Sequence, residues 1–382
     1  MNSKEIKIDT TEQKQILAGL EARQDAEATR MRNYLAMPDL SRAPESPIHE
    51  MVERIINLPD FEIFNTVQVP EIVSTEVGFD LFDFPLDHPA RSKSDTYYVD
   101  KNHILRTQMT VMWYYFLNDA EVKEHMAQNK AVGCFAFGKV YRKDEIDRHH
   151  MNVFHQLDSW YLAPKEKETI TREHLEKVLA DTAKAVFGPD IKYRFNPDIF
   201  PYTDNSLEME VEVAGAWVEV NGAGVVKASV LEKLGVDSSK WTGWAFGLGL
   251  ERLAIISMEL PDIRLLWSDD ERVKKQLKLG QKFKEVSKYP AIIRDISFLV
   301  DSSSFTPNDY FDLVRDVVGD TAEEMALVDE YENTEKFGEG KKSYAYRITY
   351  RSLTHTLTDE EVNILHKKLE KETQNIFHAT VR

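Results

Sequence analysis

One strand-like run of the sequence carries an aromatic ring, an amide and a carboxylate at every second position. The residues are Phe154, Gln156 and Asp158, within FHQLDSW. Because side chains alternate between the two faces of a strand, all three lie on one face. Two interpretations are open: a wall that binds a ligand, or an amphipathic strand whose polar face meets water.

Two further segments combine glycines with ionisable residues. The run WVEVNGAGVV contains Glu219 and ends in Gly222, Ala223 and Gly224, and GWAFGLGLERLAII leads through glycines into a helix with Arg252 near its start. Glycine lets a ligand approach the backbone closely, while arginine and a helix N-terminus both favour an anion. GLGLER alone is weak evidence for phosphate binding.

Composition bounds the class of protein that carries these residues. A length of 382 residues with 42% hydrophobic content predicts a soluble protein of two or three domains. No apolar run approaches the ~20 residues that a membrane span needs, so no membrane association is expected. The N-terminal residues lack the pattern of a signal or transit peptide, which predicts a cytoplasmic location, with the mitochondrial matrix as the alternative.

The net charge and the number of cysteines exclude further classes of protein and of binding site. The formal charge of −17 argues against indiscriminate nucleic-acid binding, although it allows a local basic stripe. The single cysteine, Cys134, excludes an internal disulfide and any zinc site built from several cysteines. It lies in the apolar run AVGCFAF, where packing is its expected role.

The order of predicted elements indicates an α+β protein. Residues 1–45 read as a polar helical extension, and residues 46–275 alternate strands with helices in a way that favours a mostly antiparallel sheet flanked by helices. The charged run DDERVKKQLKLGQKFKEV is predicted to be helical, and residues 276–287 to be a linker. Residues 288–382 follow the order βαββαβ of a ferredoxin-like domain.

Taken together, these segments resemble phenylalanyl-tRNA synthetase, in its single-chain organellar form with a ferredoxin-like anticodon-binding domain. DHPARSKSDTYYV resembles the motif 1 region of this family, GKVYRKDEIDRHHMNVFHQLD its motif 2, and GWAFGLGLERLA its motif 3. The resemblance covers most of residues 46–382. It implies a class II aminoacyl-tRNA synthetase sheet, followed by the ferredoxin-like domain.

The resemblance implies an ATP site. Arg142 would contact the α-phosphate, His150 the γ-phosphate, and Phe154 would stack on the adenine whose other face Arg252 covers. Glu219 would contribute to Mg²⁺, which prefers hard oxygen ligands beside substrate phosphates, with Glu208 and Glu210 as weaker candidates.

The resemblance also implies an amino-acid site, in which this chain departs from the family. Gln156 and Asp158 would hold the α-ammonium with help from Gln108 and Thr110, and the side chain would lie in the aromatic and small segments that contain Phe200, Tyr202 and Ala223. The family usually has His-Thr-Ser and a later Gln where this chain has Gln108, Met109, Thr110 and Trp113. The family has Glu at the position of Asp158, and Phe-Pro-Phe where this chain has Phe200, Pro201 and Tyr202. The phenol of Tyr202 would therefore need a hydrogen-bond partner.

A basic segment near the C-terminus is a candidate for RNA contact. Residues 286–382 are acidic overall, yet five basic residues fall close together: Lys336, Lys341, Lys342, Arg347 and Arg351. With Tyr344 and Tyr346 they would suit contact with an RNA backbone and stacking on bases. A solvated edge strand is the alternative.

The expected function is therefore activation of L-phenylalanine with ATP and Mg²⁺, and its transfer to tRNA(Phe), by a monomeric enzyme. Arg142 and Arg252 would stabilise the charge that develops during the first step. Two alternatives stay open: a class II synthetase of altered amino-acid specificity, and a synthetase-like binding protein without catalysis.

Overall fold

A computed structural model describes residues 4–144, 147–213 and 215–382. The chain forms two compact units, Met1–Phe283 and Lys284–Arg382. None of the helices in the described ranges combines the length and the apolar character that a membrane crossing requires.

The first unit contains the larger sheet and its flanking helices. Its strands are β1 (Glu5–Lys7), β2 (Asn65–Gln68), β3 (Ile72–Ser74), β4 (His103–Leu105), β5 (Val132–Tyr141), β6 (Val153–Pro164), β7 (Tyr193–Pro197), β8 (Thr203–Val213), β9 (Ala216–Val226) and β10 (Trp241–Gly249). Its helices are α1 (Thr11–Ala22), α2 (Ala26–Ala36), α3 (Pro47–Ile56), α4 (Thr75–Gly78), α5 (Met112–Asn118), α6 (Ala120–Ala127), α7 (Arg172–Phe187), α8 (Ala228–Lys233), α9 (Leu250–Met258) and α10 (Glu271–Lys274).

The main sheet has eight strands in the order β1-β2-β5-β6-β10-β9-β8-β7. The pairs β1–β2 and β2–β5 are parallel, and the pairs from β5 to β7 are antiparallel. The predicted antiparallel sheet flanked by helices is confirmed. The centre of the sheet is apolar: every residue of β5 is buried, including Cys134.

The N-terminal region differs from the single polar helix that the sequence predicts. It contains β1, which extends the main sheet, and two helices separated at Arg23. The break has a local cause, since the Asp25 side chain accepts the N–H of Ala28 at 2.9 Å and so caps α2. Leu20 and Met31 are buried, so the region contributes to the core.

The charged run after Trp267 is also not the helix that its composition predicts. Helix covers Glu271–Lys274, and the chain then turns through Gly280 at a φ of 79°. Two apolar side chains explain this, because Leu277 and Phe283 are buried and the Phe283 N–H donates to the Met258 carbonyl at 2.8 Å. Packing of these residues against the first unit overrides helix propensity.

The second unit follows the predicted βαββαβ order. Its elements are β11 (Ile292–Asp301), α11 (Pro307–Val318), β12 (Ala322–Glu332), the short α12 (Thr334–Phe337), β13 (Lys341–Tyr350), α13 (Asp359–Phe377) and β14 (Thr380–Val381). The sheet order is β12-β13-β11-β14, as in a ferredoxin-like fold. The core between this sheet and helices α11 and α13 is aromatic, with Phe298, Tyr310, Tyr346 and Tyr350 buried.

Candidate active site

A cavity of about 750 Å³ opens over the centre of the main sheet. Strands β6, β9 and β10 and the start of helix α9 contribute to its walls. The residues predicted to bind ATP and the amino acid all line it: Gln108, Thr110, Arg142, His150, Phe154, Gln156, Asp158, Phe200, Tyr202, Glu219, Ala223 and Arg252. The sequence thus brings residues from five separate segments to one place.

Glycines keep the floor of the cavity open. Gly247 lies opposite Asp158 in the β6–β10 ladder, and a Cβ there would lie 2.9 Å from the Asp158 carboxylate. A Cβ on Gly222 would lie 2.4 Å from the ring of Phe200. Either added methyl group would force the facing side chain to move, so both glycines are required for close approach rather than for turns.

Asp158 is a buried carboxylate whose hydrogen bonding is incomplete. The residue is 5% exposed, and its Oδ2 accepts the Thr110 hydroxyl at 2.8 Å. Its Oδ1 has no hydrogen-bond partner among the described residues. Burial raises the pKa of Asp158 to about 7, although the Thr110 hydrogen bond and the charge of Arg142 act in the opposite direction. No Lys or Arg of the described residues forms an ion pair with this carboxylate, so a ligand ammonium group would stabilise its charge.

Two amides adjoin Asp158. The Met109 N–H donates to Gln156 Oε1 at 3.3 Å, which leaves the NH₂ group of this amide for a ligand. The Gln108 amide nitrogen donates to the Gly78 carbonyl at 3.5 Å. Gln108 is thus directed toward the main chain by a long hydrogen bond.

Aromatic side chains enclose the next part of the cavity. The rings of Phe200 and Tyr202 stack with centroids 6.1 Å apart, and Trp113 meets Tyr202 edge-on at 6.0 Å. Trp113 itself stacks on Trp160 at 4.7 Å. Burial raises the pKa of Tyr202 to about 12, and the nearby Thr110 hydroxyl works against that rise. Thr110 donates its own proton to Asp158, so it could serve the phenol only as an acceptor.

Two arginines and His150 also line the cavity. The Arg142 Nε donates to the Thr107 carbonyl at 2.9 Å, and its guanidinium carbon lies 5.3 Å from the centre of the Phe154 ring. Arg252 contacts Glu219 at 3.4 Å and keeps about half of its side chain exposed. His150 is held by Asp147, whose Oδ2 lies 2.8 Å from its Nδ1. Planar guanidinium groups of this kind suit phosphate and ring stacking.

The carboxylates near the cavity differ in their availability to a metal ion. Glu210 pairs with Arg194, and Glu208 accepts the Asn196 amide at 3.1 Å. Glu219 lines the cavity and is half exposed, with Arg252 as its neighbour. No group of three or more potential ligands occurs in the described ranges. One half-exposed carboxylate in the cavity suits Mg²⁺, which usually takes its other ligands from substrate phosphates and water.

The cavity also contains residues that the sequence prediction did not include. Thr203, Asn221, Ala245 and Ile255 are among them. Ile255 follows Arg252 by three residues, so helical spacing could have identified it. Asn221 is 3% exposed, and neither atom of its amide has a partner among the described residues. No sequence signal distinguished Asn221 from the apolar residues around it.

The basic residues predicted for RNA lie in the second unit, mostly in ion pairs. Lys342 pairs with Glu330, Arg347 pairs with Asp295 at 2.8 Å, and Arg351 with Glu323 at 2.9 Å. Lys336 lies over the Phe337 ring at 5.3 Å, and Lys341 is exposed.

Three of these basic residues, Lys341, Lys342 and Arg347, lie on β13, and two features of this strand differ from the prediction. The predicted stacking by Tyr344 and Tyr346 is wrong, because both rings are buried in the core between the sheet and its helices. The edge-strand alternative is wrong as well, since β13 lies between β12 and β11.

Comparison with known proteins identifies both units. Residues 34–277 match the family "tRNA synthetases class II core domain (F)", and residues 287–382 match "Ferredoxin-fold anticodon binding domain". The chain is 37% identical to the chloroplastic/mitochondrial phenylalanine–tRNA ligase of Arabidopsis thaliana, over 90% of this chain and 80% of the relative. It is 36% identical to the mitochondrial enzyme of Mus musculus (82% of this chain, 74% of the relative). It is 32% identical to that of Saccharomyces cerevisiae (84% of each).

Proposed function

The chain belongs to the phenylalanine–tRNA ligases, a family of class II aminoacyl-tRNA synthetases, and on this premise we propose how its own residues divide the work. Asp158, Gln156 and Thr110 bind the ammonium group of phenylalanine, Gln108 supports them from the main-chain side, and Phe200, Tyr202 and Ala223 surround its ring. Arg142, His150, Phe154 and Arg252 bind ATP. One observation carries this division: a single cavity holds a buried carboxylate that has no ion-pair partner among the described residues, together with two guanidinium groups.

The first step joins the amino acid to AMP. The carboxylate of phenylalanine attacks the α-phosphorus of ATP, the bond from that phosphorus to the bridging oxygen breaks, and pyrophosphate leaves with the electron pair. Arg142 stabilises the charge that develops on the α-phosphate, and Arg252 holds the nucleotide in line. No side chain acts as a nucleophile, so positioning and charge supply the catalysis.

Magnesium would be held by Glu219 together with the phosphate oxygens of ATP. When bound, Mg²⁺ neutralises part of the phosphate charge. The contact of Glu219 with Arg252 would keep the carboxylate near the phosphates.

The second step transfers the aminoacyl group to RNA. A ribose hydroxyl at the end of tRNA(Phe) attacks the carbonyl carbon of the adenylate, and AMP leaves. The second unit would hold the anticodon region through Lys336, Lys341, Lys342, Arg347 and Arg351. Support comes from the ferredoxin-fold match over residues 287–382 and from the exposed position of Lys341.

The location and assembly of the enzyme are part of the same proposal. The cytoplasmic location predicted from the sequence conflicts with the relatives, whose names place them in mitochondria or chloroplasts. They support the mitochondrial matrix instead. We propose a monomer, since the cavity residues assigned to both substrates come from one chain.

A second candidate substrate is an aromatic amino acid with a polar group on its ring. The Tyr202 phenol and the Thr110 hydroxyl are the observation that favours it, because both lie in the cavity beside Asp158. A site that hydrogen-bonds a substrate hydroxyl discriminates strongly against the analogue that lacks it.

Amino-acid-dependent exchange of pyrophosphate into ATP tests the proposal. We expect phenylalanine to stimulate exchange more than any other standard amino acid. Stronger stimulation by tyrosine would favour the second candidate, and stimulation by a non-aromatic amino acid alone would contradict both.

A further inference from the structure

A buried histidine joins three distant segments of the sequence directly beneath the candidate active site. His155 on β6 has no exposed surface. Its neighbours in the strand, Phe154 and Gln156, line the cavity. Because side chains alternate across a strand, His155 points away from the cavity toward the opposite face of the sheet. The groups that hold His155 in place therefore also fix the main chain between Phe154, which is assigned to ATP, and Gln156, which is assigned to phenylalanine.

The first partner of His155 is Glu251, at the start of helix α9. Its carboxylate accepts the main-chain N–H of His155 at 2.7 and 2.9 Å, and His155 Nδ1 lies 2.6 Å from Glu251 Oε1. The β6–β10 ladder ends at the pair Gln156 and Gly249, where β10 gives way to α9. The Glu251 carboxylate thus replaces the missing strand partner and ties β6 to the first turn of the helix that carries Arg252.

The second partner of His155 is the segment before α3. The Leu40 N–H donates to His155 Nε2 at 2.9 Å, and Asp39 Oδ1 lies 3.3 Å from the same nitrogen. A neutral imidazole accepts from Leu40, while an imidazolium donates to Asp39, so either form keeps a partner. Burial acts to lower the pKa of His155, but the Glu251 and Asp39 carboxylates outweigh it and raise the pKa to about 9.

Two further contacts hold the same segment against β5. Lys139, which lies opposite His155 in the ladder, donates through Nζ to the carbonyls of Leu35 and Met37 at 2.8 and 2.7 Å. The Arg42 guanidinium lies 4.6 Å from the centre of the Phe137 ring. Residues 35–42, which we term the brace, therefore cross the sheet beneath the ATP-binding strand and are fixed there at three points.

We propose that the brace, His155 and Glu251 position Phe154 and Arg252 for adenylate formation, so that a segment outside the cavity determines how well ATP is held. The inference rests on the function proposed above. His155 and Asp39 act as positioning residues, since they lie behind the strand that meets the substrates. Glu251 borders the cavity at the start of α9, but it is 2% exposed and its carboxylate is engaged by His155, so it too acts through position. A shift of about 1 Å in a positioned group can cost about a hundredfold in rate, which makes such support measurable.

Four variants test the coupling by pyrophosphate exchange, well below the unfolding temperature of each. Glu251→Ala removes the carboxylate and should lower kcat about thirtyfold and raise the KM for ATP more than the KM for phenylalanine. Glu251→Gln keeps one oxygen for the His155 N–H and should restore kcat to within about threefold of wild type. Asp39→Ala should lower kcat about fivefold, because Leu40 still contacts the ring.

The fourth variant combines Asp39→Ala with Glu251→Gln. If both act through His155, the loss in the double variant is smaller than the product of the single losses. A matched control is Tyr161→Phe, which removes a 2.6 Å hydrogen bond to Glu168 from the same strand β6. It should leave kcat and both KM values unchanged.

Three results would overturn the inference: wild-type kcat in folded Glu251→Ala and Asp39→Ala, strictly multiplicative losses in the double variant, or an equal loss in Tyr161→Phe. Failure of the proposed function is distinguishable, because wild-type protein would then show no exchange with any standard amino acid. In that case ATP affinity, measured by calorimetry, decides the inference: it must fall in Glu251→Ala and be preserved in Tyr161→Phe.

Discussion

The two units of the chain differ in where their charged side chains lie. The first unit buries ionisable groups near its cavity, among them Asp158, His155, Glu251 and Lys139. The ion pairs of the second unit are at least partly exposed, as with Arg347 and Asp295 at 50% and 52%, and its core is filled with aromatic rings. A buried charge is costly to desolvate but is fixed in position, whereas an exposed pair contributes little to stability.

The difference follows from what each unit contacts. Adenylate formation requires the cavity arginines and the amino-acid site to be held at fixed positions. Buried groups such as His155 and Glu251 support the strand and helix that carry them, so the first unit retains buried charges despite their cost. An RNA backbone is a repeating array of charge that tolerates mobile cations. The predictions below test whether buried charge in one unit and exposed charge in the other have these separate uses.

The largest effect is expected at the cavity arginines. Arg142→Ala and Arg252→Ala should each lower pyrophosphate exchange about a hundredfold or more, on the order of 3 kcal/mol, because each removes a positioned charge. Arg252→Lys should not restore activity, since an ammonium group cannot stack on adenine. Arg347→Ala serves as the matched control in the second unit. Near-normal exchange by either cavity variant would mean that ATP binds elsewhere.

Removal of the second unit should separate the two steps. A chain that ends at Val286 retains Phe283, which packs in the first unit, and should exchange pyrophosphate within about twofold of the intact chain. Charging of tRNA should fall about fiftyfold, because the anticodon contacts are lost. Equal charging by a folded, shortened chain would contradict the assignment of the second unit.

The third prediction concerns the free energy of unfolding that is lost because the Asp158 carboxylate is buried. Its folded pKa of about 7 exceeds the unfolded value, so folding stability falls as pH rises from about 4 to 7 and stays low above 7. Asp158→Asn should raise the free energy of unfolding by about 2 kcal/mol at pH 8 and much less at pH 5. Tryptophan fluorescence in urea measures this for the first unit, since all six tryptophans precede residue 284. A free energy of unfolding at pH 8 that is lower for Asp158→Asn than for the wild type would contradict this prediction.

The raised pKa of Asp158 also predicts how the binding of phenylalanine depends on pH. Only the ionised form of Asp158 attracts an ammonium group, so the KM for phenylalanine should rise about tenfold for each pH unit below 7. Steady-state exchange between pH 5.5 and 8.5 measures it. Asp295→Asn, an exposed carboxylate in the second unit, should leave the profile unchanged.

The smallest effect is expected from the basic residues of β13. Reversing the charges of Lys341, Lys342 and Arg347 to Glu should weaken tRNA binding about fivefold and flatten its salt dependence, without changing exchange. The effect is modest because Lys342 and Arg347 already have acidic partners. Arg315→Glu on α11 is the control, and an equal effect there would point to net charge rather than to a specific surface.

Local patterns predicted much of this architecture. The alternation around Phe154 and the glycines around Ala223 and Gly249 predicted the strands of the cavity, and the order of elements predicted the second unit. Patterns failed where tertiary contacts decide. Tyr344 and Tyr346 share β13 with Arg347, but the tyrosines lie on the face that packs in the core of the second unit, whereas Arg347 is exposed on the other face. The contact of Asp39 with His155 joins residues that are 116 positions apart, which no local pattern reports.

The buried strand β5 makes this protein convenient for site-specific labelling. Its Cys134 is the only cysteine of the sequence, has no exposed surface, and burial raises the pKa of its thiol well above the ordinary value. Thiol reagents attack the accessible thiolate, so the native chain should be inert to maleimides while folded. A cysteine introduced at an exposed position, such as Lys341, would then be the single reactive group. A fluorophore attached there would report tRNA association directly, without removal of the native thiol.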